Sequence, residues 1–323
     1  MKYFVTGATG FVGGVLARQL RKSGHEVHAS VRDMNKASDL RTLGVRLFKG
    51  DVTDKESMRE ALQDMDGVFH VAGWYKVGVR DKSDGEKVNI EGTRNVLELM
   101  QELKIPKGVY TSTCAVNSDT HGQVVDETYR FKGKHISEYD RTKAVAHEIS
   151  EEFIAAGLPL VIVMPALIYG PGDTSSLGAS LRELLKGQFS MFPARAGNCF
   201  AHVEDIAAGH ILAMEKGRIG ETYMITGDCR SLVEAFKLAS QISGKRAPIV
   251  VPAQMVKIMS ILVRPFDRFL PPSYTSEGLR VVAGVTYMGD NSKARRELGY
   301  RPRAFRDGWE ETVRHEMKVL GIK

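Results

Sequence analysis

Three side chains in this 323-residue chain have the types and spacing for proton chemistry at an oxygen: Thr113 within YTSTCAV, and Tyr139 and Lys143 within YDRTK. Tyr139 and Lys143 stand four residues apart, which on a helix puts both on one face, so that an ammonium can lie beside a phenol. A phenol with a pKa of ~10 needs such a neighbour to act as acid and base near neutrality. No metal-ligand spacing accompanies the three.

Upstream, TGATGFVG follows the first apolar run and opens a helical one, placing Gly7, Gly10 and Gly13 where a backbone must approach a pyrophosphate closely. The next strand ends in HASVRDMNK, with Val31 where an acid that accepts ribose hydroxyls would stand, and Arg32 after it. A guanidinium can hold a 2′-phosphate that a carboxylate would repel. The reading is NADP(H), held by Arg32 and Lys36, with NAD(H) as the alternative. Asp51 and Val52, in GDVTD, are adenine contacts, or Asp51 begins the turn into the next helix.

The elements that must position these residues alternate. Apolar runs over Lys2–Thr6, Glu26–Val31, Arg46–Lys49, Gly67–Val71, Gly108–Ser112 and Leu160–Met164 read as strands covered on both faces. Between them, Phe11–Lys22, Lys36–Leu43, Lys55–Gln63, Val88–Leu103 and Tyr139–Ala156 read as helices, the third with a capping box from Thr53 to Glu56. This is the pattern of an α/β, Rossmann-type doubly wound parallel sheet over residues 1–170. Residues 171–323 read as a smaller, substrate-binding part with some segments returning to the core, including a strand over Glu221–Thr226. The apolar segment Ile249–Pro272 reads as a helix lining an apolar pocket, with a surface helix touching a membrane as the alternative.

Hydrophobic content of 43% and charged content of 26% are those of a globular protein. No apolar run approaches the ~20 residues of a spanning helix, and MKYFVTGATG enters a strand without a leader, so a cytoplasmic chain is expected. The formal charge of +6 is scattered, which argues against nucleic acid as a partner. Cys114, Cys199 and Cys229 show no regular spacing and read as reduced thiols. His70 reads as structural or facing the cofactor, and His202 with Asp205 as a helix entry and its cap.

TGATGFVG, VFHVAG, VNIEGTRNVL, YTSTCAV, YxxxK, YGPGD, HVEDIAAGH and NSKARRELGY together resemble an extended short-chain dehydrogenase/reductase over nearly the whole chain. The resemblance implies that Thr113, Tyr139 and Lys143 are catalytic. Tyr139 would be the acid/base, Thr113 would bond the same substrate oxygen, and Lys143 would support the phenolate and hold the nicotinamide ribose. It implies dinucleotide contacts from Thr9, Phe11, Val12, Ala72, Pro165 and Ile168 as well, and a homodimer through the two long helices.

Within that superfamily the departures point to one branch. Leu167, in MPALIYGP, replaces the asparagine of sugar-nucleotide enzymes, and Asn198 replaces their diphosphate-binding arginine. Cys114 and Ala115 stand where dehydratases carry acids, while Arg280 keeps the spacing of a second diphosphate contact. VRDMNK and PALIYGP resemble the dihydroflavonol 4-reductase side. The expectation is an NADP(H)-dependent reductase or dehydrogenase for a small, fairly apolar ketone, aldehyde or alcohol. A nucleotide-sugar epimerase is the alternative, and a non-catalytic dinucleotide sensor a further one.

Overall fold

The computed structural model describes residues 1–188 and 191–322. Its first half runs β1 (Lys2–Thr6), α1 (Phe11–Lys22), β2 (Glu26–Val31), α2 (Ser38–Thr42), β3 (Arg46–Lys49), α3 (Glu56–Leu62), β4 (Gly67–His70), α4 (Gly92–Glu102), β5 (Gly108–Thr111), α5 (Glu138–Ala155) and β6 (Leu160–Pro165). There follow β7 (Leu167–Tyr169), α6 (Ser176–Leu185), β8 (Met191–Pro193), β9 (Gly197–His202), α7 (Val203–Lys216), β10 (Thr222–Ile225), β11 (Asp228–Ser231) and α8 (Leu232–Ser243). The chain ends with β12 (Ile249–Val251), α9 (Ala253–Leu262), α10 (Ser276–Val282), β13 (Thr286–Tyr287), α11 (Ser292–Leu298) and α12 (Phe305–Val319).

The described residues build a seven-stranded sheet in the order β10-β6-β5-β4-β1-β2-β3, with every pairing parallel. This is the expected Rossmann-type sheet; its central strands are buried because each face carries its own core, while the edge strand β3, Arg46–Lys49, stays partly exposed. Leu16, Ala17 and Leu20 of α1 pack with Ile206 and Ala207 of α7 in one core. Met58, Val96, Leu97, Ala146 and Ile149 of α3, α4 and α5 pack in the other. The strand expected over Glu221–Thr226 is β10, the sheet's edge beside β6.

A second sheet orders β11-β9-β13, with β7 also paired to β9. Behind it Trp309 and Phe305 of α12 stack at 5.4 Å between ring centroids and pack with Phe200 and Phe236. Asp205 receives the Arg303 guanidinium in bonds of 3.0 to 3.1 Å and so ties α7 to the approach of α12.

Several local expectations differ. The helix after β2 begins as a 3₁₀ turn over Met34–Ala37, capped by the Asp33 carboxylate on the Asn35 N–H at 3.0 Å. A π-helical turn over Gly85–Glu91 precedes α4. The capping box at α3 does not form, because the Thr53 hydroxyl donates to the Asp51 carboxylate at 2.9 Å, a charged acceptor two residues away. Cys199 and Cys229, read as reduced thiols, stand in register across antiparallel β9 and β11 and are joined in a disulfide. Strand register makes that pair across 30 residues, so no sequence spacing could announce it. Cys114 is buried and free.

The start of the apolar segment, Val250 to Gln254, lines an open hollow of about 320 Å³ with Ala194 and Arg195, but the rest of it does not line a pocket. α9 buries only Ala253 and Ser260, a small-residue edge, and turns its large apolar side chains outward.

The first turn depends on two backbones passing at contact distance. Gly7 has φ +70°, and a Cβ there would lie 2.8 Å from the Ala72 backbone; a Cβ on Gly13 would strike the Gly7 carbonyl. Gly13→Ala is therefore expected to lower the urea midpoint by the equivalent of about 1–3 kcal/mol. Gly24→Ala, at φ +82° with open space around it, is expected to cost only about 1 kcal/mol. A Gly13→Ala variant no less stable than Gly24→Ala would show that the turn does not require the close approach.

Candidate active site at the carboxyl edge of the sheet

The glycine turn leaves α1 with a free amino end. Gly10 is its N-cap, with extended backbone and no side-chain cap, and its own N–H donates back to the Gly7 carbonyl at 2.8 Å. The N–H groups of the first helical turn, from Phe11, Val12 and Gly13, thus have no side-chain cap, beside a turn where Gly7 packs on the Ala72 backbone, which is the kind of opening a pyrophosphate requires. A Cβ on Gly7 or Gly13 would fill that close approach, so the residues present fit a dinucleotide. Thr9 and Gly10 are exposed at its rim.

Arg32 stands at the end of β2 with its side chain 81% exposed, and its Nε lies 3.9 Å from an Asp51 oxygen at the end of neighbouring β3. Lys36, in the 3₁₀ turn, is exposed nearby. Asp51 accepts from the Thr53 N–H and hydroxyl, each at 2.9 Å, as a residue that begins a turn does. Val52 is buried beneath it against Gly92. Pro165 ends β6, and Ile168 lies in β7, opposite Ala201.

Across the middle of the sheet, parallel register aligns Thr6 of β1 with His70 of β4, and His70 with Tyr110 of β5. The Thr6 hydroxyl accepts from the Val71 and Ala72 N–H groups, each at 3.0 Å, which leaves its own proton for His70 Nδ1 at 2.8 Å. The His70 ring is thereby the Nε2–H tautomer, donating to Thr93 Oγ1 at 3.1 Å. Burial, then the nearby Lys143, drives its pKa down to about 3, so it is neutral. His70 is held by hydrogen bonds at both ring nitrogens, as a structural histidine would be, and it stacks on Tyr110 at 5.4 Å.

Tyr110 in turn receives Lys143. The ammonium donates to the Tyr110 hydroxyl at 2.9 Å and to the Thr111 carbonyl at 2.7 Å, with its side chain 4% exposed. Lys143 therefore does lie beside a phenol, but that of Tyr110 and not that of Tyr139. Burial pushes its pKa down to about 7, because a charge taken out of water is poorly compensated by neutral acceptors. Tyr110 and Thr93 were inside quoted motifs, yet a strand tyrosine and a helix threonine carry no signal of their own. Only their place in the row at the strand ends gives them a role.

Thr113 and Tyr139 are brought together. Thr113 caps the short turn after β5, accepting from the Ala115 N–H at 3.2 Å, and stands close enough to Tyr139 to act on its phenol. Tyr139 lies in the first turn of α5, whose cap is Ser137 on the Asp140 N–H at 3.1 Å. Burial pushes the phenol up to about 12, and Thr113 opposes that rise. The helix's amino end favours negative charge at the same place. Next in the chain, Asp140 accepts from the Tyr287 hydroxyl at 3.0 Å, and burial raises its carboxyl to about 6. Asn89, in the π turn, holds α5 from the other side, donating to Thr142 Oγ1 and the Trp74 carbonyl at 2.9 Å.

The residues that argued against a sugar diphosphate are engaged elsewhere. Leu167 pairs with Phe200 in the second sheet, and Asn198 faces Arg230, whose guanidinium lies over the Phe305 ring at 5.2 Å and beside Asp228. Arg280 is exposed and donates to the Ile136 carbonyl at 3.3 Å. His202 is itself the cap of α7, its ring accepting from the Glu204 N–H at 3.3 Å, while Asp205, read with it as the entry and cap, instead binds Arg303.

The depressed pKa of Lys143 makes a stability test. The unfolded chain holds this proton up to the ordinary lysine value of 10.5, while the folded chain releases it near about 7. Stability from this residue is full above the first value and is lost as pH falls towards the second. Relative to Lys143→Met, the wild-type urea midpoint is expected to climb between those two pH values. A difference between the two proteins that stays flat across that window would refute the burial of a weakly basic amine.

Three comparisons bear on this site. Residues 3–226 match the model of the NAD dependent epimerase/dehydratase family. The chain is 30% identical to sterol demethylase protein B of Methylococcus capsulatus, over 97% of both chains, and 32% identical to a putative dihydroflavonol 4-reductase of Synechocystis, over 92% of this chain and 89% of that one. The crystal structure of gox2253 superposes with a TM-score of 0.85 at 30% identity, covering 99% of each chain. This chain belongs to the NAD dependent epimerase/dehydratase family, within the extended short-chain dehydrogenase/reductase superfamily.

Proposed function

We propose that the protein is an NADP(H)-dependent oxidoreductase that interconverts a ketone or aldehyde and an alcohol, acting in the cytoplasm on a fairly apolar small molecule. The observation that carries this reading is the placement of Thr113 close enough to Tyr139 to oppose the rise of its phenol's pKa, at the carboxyl edge of the sheet where the glycine turn opens. When bound, the dinucleotide supplies the hydride in reduction and accepts it in oxidation. Tyr139 gives its phenolic proton to the carbonyl oxygen as the carbon is reduced, and takes it back when the alcohol is oxidised. Thr113 shares that oxygen, fixing it in line with the phenol. Lys143, on Tyr110 and the Thr111 carbonyl in this state, would bind the ribose and raise the positive potential around the Tyr139 phenolate.

The branch is supported by the residues that are missing as diphosphate contacts, Asn198 and Leu167, and by likeness to a relative named as a dihydroflavonol 4-reductase. The phosphorylated cofactor is supported by Arg32, exposed at the end of β2 where a 2′-phosphate would lie.

Two outcomes follow for activity. Tyr139→Phe is expected to retain dinucleotide binding and lose turnover by about 10²- to 10⁴-fold; near-wild-type turnover would end the assignment. Steady-state kinetics are expected to favour NADPH over NADH, with Arg32→Ala removing most of that preference. Equal efficiency with NADH in the wild type would sink the cofactor reading, and a large thermal shift with a nucleotide sugar, without one for apolar ketones, would replace the reductase with the epimerase.

A further inference from the structure

Beyond the active site, α9 and the 3₁₀ turn after it, Arg264–Phe269, present an apolar face with nothing packed on it. Met255, Ile258, Met259 and Leu262 follow i, i+3, i+4 and i+7 spacing, one stripe of the helix, and all four are exposed. Phe266 and Phe269 extend the stripe and are about as exposed as any apolar side chain in the protein, at 59% and 67%. The inner edge of α9 is the one that meets α10.

The charge around this stripe has one sign. Residues 245 to 275 carry five basic side chains, with Asp267 the lone acid. Asp267 is held at the start of α10, accepting from the Ser276 N–H at 2.7 Å and its hydroxyl at 2.5 Å. Among the described residues, Lys257, Arg264 and Arg268 have no carboxylate within ion-pair distance, and the Arg268 guanidinium lies over the Phe269 ring at 4.4 Å. An apolar stripe edged by unpaired cations is the signature of a helix lying in a membrane interface. No described helix is long and apolar enough to cross a membrane.

We infer that this face docks the protein on an anionic phospholipid surface, with the stripe in the acyl boundary and Arg264 and Arg268, in the turn that continues it, at the headgroups. A second copy of the chain is a poorer occupant. Two-fold pairing of the same face would bring like charges together with no acid to separate them. The docking face is anchored next to the candidate active site: Glu277 of α10 accepts from the Glu138 N–H at the start of α5 at 2.8 Å, and from the Gly78 N–H at 2.9 Å. A substrate dissolved in the bilayer would reach the site by that side.

The test is co-sedimentation of the full chain with vesicles of phosphatidylcholine, alone or mixed with phosphatidylserine, and it reads binding independently of turnover. Binding is expected at least about tenfold tighter with phosphatidylserine present, and weaker as salt is raised. Arg264→Glu with Arg268→Glu is expected to abolish the phosphatidylserine preference. Ile258→Ser with Leu262→Ser and Phe269→Ser is expected to lose binding to both vesicles, with unchanged thermal melting because all three sites are exposed. Failure of the folded wild type to bind the mixed vesicles would overturn the inference, as would unchanged vesicle binding by the serine variant. Light scattering that shows a dimer in the wild type and a monomer in the serine variant would assign the face to a second copy instead.

Discussion

The arrangement of this protein's edge turns on one buried ammonium. Lys143 sits nine-tenths and more out of water with a phenol and a carbonyl as its acceptors, and a charge so placed holds only if those acceptors are themselves fixed. Fixing Tyr110 takes His70 stacked on it and Thr93 beside it; fixing His70 takes Thr6; and Thr6 is fixed by the N–H groups that follow β4. The row runs along three strands at one register. The same hydroxyl that begins it sits one residue before Gly7, so the dinucleotide turn and the ammonium share a single polar spine.

That spine explains why the sheet's centre is built as it is. Ala72, held by Thr6, is the backbone against which Gly7 packs. A larger residue at Gly7 would push the two strands' ends apart and disturb the hydrogen bonds of His70 along with the turn. The glycine turn and the buried Lys143 ammonium are thus linked mechanically through one row of hydrogen-bonded side chains.

Much of this was legible in the sequence because it depends on local chemistry. Near-continuous apolar runs have few alternatives to a strand buried on both faces, and α1 spans the residues its periodicity marked, Phe11–Lys22. The candidate site was legible as three side chains, of which Thr113 and Tyr139 meet in space. The partner of Lys143 was not, since a four-residue spacing says only that two side chains share a face, while the acceptor that an ammonium chooses is set by what lies opposite that face. The α3 capping box failed for a similar reason: Thr53 had a nearer carboxylate in Asp51.

What the sequence determined by itself is whatever follows from residue type at short range: the alternation of strands and helices, the glycine turn, the helix that carries Tyr139 and Lys143, and the cation after β2. Tertiary structure decided what depends on register and on which surfaces find a partner. Register across the sheet joined Thr6, His70 and Tyr110, and register between β9 and β11 joined Cys199 to Cys229. Packing against α10 used only the small edge of α9, which left its large apolar side chains outside. Composition showed that segment to be apolar; whether it lined a pocket or faced outward was a question of neighbours, and neighbours are supplied by the fold.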